Sequence, residues 1–320
     1  MDMDKIIKEA QELLSENTEW KKRYKDYVVA MSENKDKVIL FRKKIKEFYP
    51  LYYYISISSI KGVLSLDIRY RGQSVATLKP TTNDIIISTK GKEANNKRDF
   101  DCTVELNNDN WTSPKARKFR GFFKNRANSR NKEGNKGNEE HNVESLLLTE
   151  LLKKKSTSKA ILGIQPITYC GIRYAMPTPM KASNNNKLEY AKQYGGGIDI
   201  LARTGGGGYS THLTVIEVKD ENNSKEPPED ALKQAVQYAV FIRELLRSEC
   251  GNDWYKIFGF QGSIPQSLKI RVACAMPDDI LDKTFTKTVY SIENDVIECH
   301  YIYFKYDGQQ LSDFQTSFER

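Results

Sequence analysis

Residues 196–219 read GGIDILARTGGGGYSTHLTVIEVK, and this stretch decides the fold class of the second half of the chain. Two runs rich in branched apolar residues flank a tip of four glycines, a pattern typical of two strands joined by a hairpin. A hairpin that turns about Gly208 places Asp199 opposite Glu217. Lys219 follows Glu217 by two residues, so its side chain projects from the same face of the strand.

The pattern therefore predicts two carboxylates and one ammonium at the end of two neighbouring strands. Hard oxygen ligands with room for water are what Mg²⁺ selects. The alternative is a salt-bridge cluster on a half-exposed sheet. Against that alternative, the opposite face of the strands is apolar, so the sheet is expected to be covered on both sides, where idle charges are costly. That apolar face carries Ile198, Ile200, Ile216 and Val218.

Two helices are predicted beside these strands. One begins at Pro227-Pro228 with acids in its first turn and runs to about Glu249. Gln234 and Tyr238 are four residues apart on it, so they share one otherwise apolar face and indicate either the edge of a site or an ordinary half-buried pair. The other helix begins near His141 and carries Glu144 among apolar residues, where this acid is either functional or merely solvated.

The order of elements predicts an α/β core that contains a helix, three strands, a helix and a further strand, with a mixed sheet. Before it, residues 1–50 have helical periodicity and residues 51–106 read as an antiparallel meander of short strands. We expect an N-terminal α+β module over residues 1–110, a basic linker over 111–140 and the α/β domain over 141–320.

These motifs together resemble the PD-(D/E)xK, or restriction-endonuclease-like, nuclease superfamily. The resemblance rests on Glu144, Gly197-Ile198-Asp199, Glu217-Val218-Lys219 and the QAVQY run from Gln234 to Tyr238. The Q-x-x-x-Y helix is most similar to the exonuclease and RecB-like branch. The resemblance covers about residues 141–306, and Ile198 stands where the proline that names the superfamily would be.

The resemblance implies a nuclease that hydrolyses phosphodiester bonds with Mg²⁺, or with Mn²⁺. Asp199, Glu217 and the carbonyl of Val218 would hold the metal, and Glu144 would complete the site or support a second ion. Lys219 would orient the attacking water or stabilise charge on the phosphate, and Gln234 and Tyr238 would position the lysine or a backbone phosphate. Alanine at Asp199, Glu217 or Lys219 is expected to abolish cleavage and to leave the fold intact.

The excess positive charge of the chain lies in one segment. Residues 115–137 hold nine basic residues and one acid, which accounts for the whole net charge of +8. Phe119, Phe122 and Phe123 are interleaved with these cations, so the segment suits a polyanion, with rings for stacking or anchoring, or it is a solvated linker. The basic residues expected to bind nucleic acid are Lys115, Arg117, Lys118, Arg120, Lys124, Arg126 and Arg130.

Composition limits the classes of protein to which the chain can belong. Mean hydropathy is −0.63, and no apolar run approaches the ~18 residues that span a bilayer. The five cysteines have no CxxC spacing, and the acidic start argues against a secretory signal, so we expect a cytoplasmic protein with reduced thiols.

The partner expected is nucleic acid, DNA rather than RNA, with a homodimer as a further possibility. Restriction, phage defence and DNA repair are settings suggested by analogy. The alternatives are a nucleic-acid-binding protein that retains the nuclease fold without turnover, and an interaction protein whose basic segment is only a linker.

Overall fold

A computed structural model gives the structure of the chain. It describes residues 2–57, 65–81, 84–128, 139–153, 162–182, 187–192, 195–220, 227–278 and 283–318. The fold is mixed α/β. Among the described residues no helix is both long enough and apolar enough to span a bilayer.

The described residues form eight α-helices and seventeen strands. The helices are α1 (Met3–Glu16), α2 (Glu19–Glu33), α3 (Lys35–Lys44), α4 (Glu93–Asn95, continued by a π-helical turn, Asn96–Phe100), α5 (Pro114–Asn128), α6 (Glu139–Leu152), α7 (Pro228–Arg247) and α8 (Gly251–Ile257). The strands are β1 (Leu51–Ile55), β2 (Leu66–Tyr70), β3 (Gln73–Pro80), β4 (Ile85–Ser88), β5 (Asp109–Asn110), β6 (Ile164–Pro166), β7 (Arg173–Tyr174), β8 (Met176–Pro177), β9 (Met180–Lys181), β10 (Glu189–Tyr190), β11 (Gly197–Ile198), β12 (Ile200–Thr204), β13 (His212–Val218), β14 (Lys269–Pro277), β15 (Thr288–Ile292), β16 (Asp295–Tyr306) and β17 (Leu311–Thr316).

The chain divides into two compact units. The larger unit contains Met1–Val28, Val143–Ile167 and Ala175–Arg320, and the smaller unit contains Val29–Asn142 and Thr168–Tyr174. This division differs from the predicted succession of domains, because α1 packs against α7 in the larger unit. Helix α1 joins that unit although it is distant in sequence, because it buries an apolar side formed by Ile6, Ile7, Ala10 and Leu14.

The larger unit is built on a mixed sheet of seven strands. Its order is β15-β16-β14-β13-β12-β6, and β17 also pairs with β16. Strands β13, β14 and β16 run parallel, while the remaining pairs are antiparallel. Parallel neighbours need a crossover, and α7 supplies it between β13 and β14, against both of which it packs.

Helix α7 begins and packs as its sequence predicts. Pro227 is its N-cap and Pro228 is its first residue. Glu229 and Asp230 lie in its first turn, where their negative charges interact favourably with the positive end of the helix dipole. Most of its side chains are buried, which is expected of a helix covered on more than one side.

The smaller unit contains a six-stranded sheet of order β5-β4-β3-β2-β1-β7. Strands β1 to β4 form an antiparallel meander that ends at Ser88. The meander predicted for residues 51–106 is therefore too long, since residues 93–100 form α4 and its π-helical turn. Strand β7 adds to β1 in parallel.

The segment predicted to be a basic linker contains helix α5. Its buried residues Ala116, Phe119 and Phe123 recur at helical spacing. The Phe123 ring lies 4.9 Å from the Tyr70 ring and 5.9 Å from the Phe100 ring, so α5 belongs to the core of the smaller unit. The buried apolar stripe is the physical reason why this basic stretch folds.

Candidate metal centre

The hairpin of β12 and β13 has the predicted register. The paired residues run from Ile200 opposite Ile216 to Thr204 opposite His212. Asp199 is the next residue before this ladder and Glu217 is the next residue along β13. The backbone N–H of Val218 donates to Asp199 Oδ2 at 2.9 Å. The aspartate is thereby anchored at the end of the hairpin beside Glu217.

Glu217 and Lys219 form a buried ion pair. The relative exposure of Glu217 is 1% and that of Lys219 is 6%. Lys219 Nζ lies 3.2 Å from Glu217 Oε1. Because Lys219 directly follows β13, the alternation of side chains puts both groups on the same face. A charge pair with so little water around it interacts more strongly than one at the surface.

Helix α7 brings Gln234 and Tyr238 to the same place. Lys219 Nζ donates to Gln234 Oε1 at 3.5 Å, and Gln234 Nε2 donates to the Tyr238 hydroxyl at 3.5 Å. Burial, and then the nearby charge of Glu217, raise the pKa of Tyr238 to about 12. The tyrosine therefore stays protonated at neutral pH.

Two carboxylates of the larger unit could hold a metal ion. One ligand oxygen of Asp199 lies within 4.8 Å of one ligand oxygen of Glu217. Glu144, the third acid that the sequence predicts, is buried on α6 and lies outside the group of acids whose ligand atoms meet there.

Glycines before Asp199 let the chain pass close to a neighbouring segment. The amide of Gly196 donates to the Met180 carbonyl at 2.7 Å, and the amide of Thr178 donates to the Gly196 carbonyl at 2.9 Å. A Cβ on Gly195 would lie 2.0 Å from the Thr178 carbonyl oxygen, and a Cβ on Gly196 would lie 2.2 Å from the Tyr238 hydroxyl. We refer to this contact of residues 195–198 with residues 176–180 as the glycine clasp.

The donor set fits a hard divalent cation. Asp199 and Glu217 supply carboxylate oxygens, which Mg²⁺ and Mn²⁺ prefer over nitrogen or sulfur. The N–H of Val218 holds Asp199, and the carbonyl of Val218 is the further ligand that the sequence predicts. Lys219 adds a cation beside the acids, where it can bind an anionic group brought by a substrate.

The predicted nucleic-acid-binding residues lie on α5, apart from Arg130, which is outside the described residues. Lys115, Arg117, Lys118 and Lys124 are exposed. The Arg120 guanidinium lies 4.0 Å from the centre of the Trp111 ring, and Arg126 donates to the Phe100 carbonyl at 2.9 Å. The rings of Phe119 and Phe123 are fully buried, so they anchor the helix and are not available to stack on bases.

Comparison of the chain with protein-family models, with curated proteins and with solved structures gave no match.

Proposed function

We propose that the chain is a metal-dependent nuclease that hydrolyses phosphodiester bonds of nucleic acid, with DNA as the favoured substrate. The observation that carries this proposal is the convergence of Asp199, Glu217 and Lys219 at the end of one hairpin, with Gln234 beside the lysine. A general salt-bridge cluster would not need two acids and a lysine in a buried place, with the aspartate held by a backbone donor and the lysine held by an acceptor on a helix.

In the proposed site Asp199 and Glu217 would hold Mg²⁺. The metal, when bound, supplies Lewis-acid polarisation of a phosphoryl oxygen and a bound water of lowered pKa. The chain supplies orientation: the Val218 N–H fixes Asp199, and Gln234 holds the ammonium of Lys219 in place. Lys219 is placed to stabilise negative charge that develops on the phosphate.

The test is a substrate panel incubated with Mg²⁺, with Mn²⁺ or with EDTA. The substrates are linear duplex DNA, closed circular DNA, single-stranded DNA and RNA. We expect metal-dependent cleavage by the unaltered chain and a loss of at least about 100-fold in Asp199→Asn and in Glu217→Gln, because each removes a ligand charge without changing the side-chain size. Cleavage of closed circles would identify an endonuclease.

The matched control is Asp313→Asn, which removes one exposed acid on β17. It is expected to cleave like the unaltered chain. Full activity in Asp199→Asn and Glu217→Gln would contradict the proposal. Binding of nucleic acid without cleavage of any substrate would instead favour the non-catalytic alternative.

A further inference from the structure

Helix α5 divides its six basic side chains into two groups. Arg120 donates to the Trp111 carbonyl at 2.6 Å and lies over the indole ring, while Arg126 reaches the carbonyl of Phe100. These two arginines hold the helix against its own unit. The other four cations are exposed to solvent, namely Lys115, Arg117, Lys118 and Lys124. We call these four residues the α5 basic face.

The α5 basic face is not neutralised by its surroundings. The sequence of α5 from Pro114 to Asn128 contains no acid. Within the part of the chain that the structure describes, none of the four cations forms a salt bridge, although acids elsewhere in the chain are widely paired. A concentration of unpaired positive charge raises the local density of anions and attracts a polyanion.

The α5 basic face offers charge and few other contacts. Phe119 and Phe123 are completely buried, and Phe122 packs 5.1 Å from Phe123. Aromatic rings that stack on bases must be exposed, and Phe119 and Phe123 are not, so charge is the main feature of this surface. It suits a ligand that presents regularly spaced negative charges.

Three of the four cations lie together on one side of the helix. Arg117 and Lys118 precede Gly121 by four and three residues, and Lys124 follows it by three, so these positions are neighbours away from the buried stripe. Lys115 lies half a turn round the helix from Lys124. Arg117 and Lys124 are seven residues apart, which is about 10 Å along a helix axis, and a duplex strand with one charge per ~3.4 Å presents about three phosphates over this length.

We propose that the α5 basic face binds the phosphate backbone of duplex nucleic acid without regard to base sequence. This inference rests on the proposed function and names a substrate contact for it outside the metal centre. Each cation is expected to release about one counterion on binding. Affinity should therefore fall with salt, by ~0.9 in the slope of log K against log salt concentration for each contact.

Gly121 gives a sharp test. It lies between Arg117 and Lys124 on α5, and a Cβ added to it would meet nothing within 4 Å. The variants Gly121→Gln, Gly121→Glu and Gly121→Lys have long side chains and differ in charge. Binding of a 30-base-pair duplex is measured by fluorescence anisotropy in EDTA over a range of salt concentrations, so that cleavage does not interfere.

We expect Gly121→Lys to bind roughly tenfold more tightly than Gly121→Gln at 0.1 M salt, and Gly121→Glu to bind more weakly by a similar factor. Replacement of the four basic residues by glutamine should reduce the salt slope by up to about 4. The control replaces four exposed lysines of α1 and α2 by glutamine, namely Lys5, Lys8, Lys22 and Lys25. This control should retain most of the salt dependence of DNA binding.

Equal affinity across the Gly121 series, or an equal loss of slope in the control, would overturn the inference. A series that alters the binding of polyglutamate but not of DNA would also overturn it. These results are distinct from a failure of the proposed function. If the variants of α5 cleave as fast as the unaltered chain, only this inference is contradicted. If the affinity for DNA follows the Gly121 series in a chain that cleaves no substrate, only the proposed nuclease activity is contradicted.

Discussion

At the scale of single residues, Lys219 has the most demanding environment. Its ammonium is almost excluded from solvent and lies 3.2 Å from a carboxylate that is equally buried. Removing water from two charges is expensive, and their attraction offsets that cost only while both are present. Loss of either partner leaves an uncompensated charge inside the protein.

We therefore predict that Lys219→Met lowers the free energy of unfolding by about 3–5 kcal/mol in the absence of metal. The double variant Glu217→Gln, Lys219→Met should be more stable than Lys219→Met alone, because the orphaned carboxylate is then removed. Urea unfolding of both variants measures this.

The control for Lys219→Met is Lys5→Met, which breaks an exposed pair with Glu9 and should change stability by less than about 1 kcal/mol. A loss below about 1 kcal/mol for Lys219→Met would show that the lysine does not compensate a buried charge.

Local rules predicted which residues of the site come together. Strand alternation puts Glu217 and Lys219 on one face, the turn about the glycines sets the register for Asp199, and helical spacing aligns Gln234 with Tyr238. The place of Glu144 could not be predicted by such rules. Whether an acid on a helix joins a group of acids on a hairpin depends on tertiary packing, which local spacing does not specify.

At the scale of elements, the glycine clasp determines how the chain approaches Asp199. Strands β8 and β11 are each two residues long, and in this pair Met176 lies opposite Ile198 and Pro177 lies opposite Gly197. Thr178 strengthens the contact, since its hydroxyl also donates to the Gly196 carbonyl at 3.1 Å. Such close passage of two backbones leaves no space for a side chain at Gly195.

Gly195→Ala is expected to displace the segment that leads to Asp199. The added Cβ would lie 2.0 Å from a backbone oxygen, which cannot move aside as a side chain does. We predict a loss of stability of about 1–3 kcal/mol and a marked fall in metal-dependent cleavage.

Gly197→Ala is the matched control for Gly195→Ala. Its Cβ would find its nearest neighbour at 3.9 Å, an ordinary contact, so activity and stability should stay near those of the unaltered chain. Urea unfolding measures the stability, and cleavage of closed circular DNA measures the activity. Equal behaviour of the two variants would contradict this role for the clasp.

Elements with strong periodicity were predictable, and short or tertiary-dependent ones were not. The pattern of α7 and the apolar run of β13 specify their own structure. Strands of two residues carry no pattern, so β8 and β11 could not be read from sequence. The charge of the α5 segment dominates its composition and predicts a linker, whereas the burial of Phe119 and Phe123 stabilises it as a helix.

At the scale of the whole molecule, the larger unit contains a second buried polar cluster around Glu298. Glu298 accepts hydrogen bonds from Arg271 Nε at 2.9 Å and from Lys269 Nζ at 3.2 Å, and it lies 2.8 Å from His300 Nε2. Burial alone would raise the pKa of Glu298, but His300, Lys269 and Arg271 outweigh it and lower the pKa to about 2. Glu298 is therefore ionised in the folded protein.

Two histidines change stability in the same direction on acidification. Burial, followed by the charge of Arg271, lowers the pKa of His212 to about 4, and burial likewise lowers the pKa of His300. A histidine whose pKa is lower in the folded protein than in the unfolded chain binds its proton more tightly in the unfolded chain. The free energy of unfolding therefore falls as the pH drops below about 6.5.

We predict that the urea midpoint falls from pH 7 to pH 4 through the histidines, and falls further between pH 4.5 and pH 2 as Glu298 is protonated. Glu298→Gln should be less stable at pH 7 and should lose much of the dependence below pH 4.5. A Glu298→Gln variant with the unaltered pH profile would contradict this assignment.

The division of the whole molecule was less predictable than its parts. Helix α1 joins α7 across more than two hundred residues of sequence, and only tertiary packing reveals that partnership. The mixed α/β class followed from the order of elements, but the membership of each unit did not.

The central claim is that Asp199 and Glu217 hold a metal that drives phosphodiester cleavage. Its most direct test is the initial rate at which supercoiled circular DNA is nicked, measured against Mg²⁺ concentration for the unaltered chain and for Asp199→Asn. We predict a saturable rise with Mg²⁺ in the unaltered chain, no cleavage in EDTA, and a rate at least about 100-fold lower in the variant. Equal rates in the two proteins, or nicking that persists in EDTA, would contradict the account.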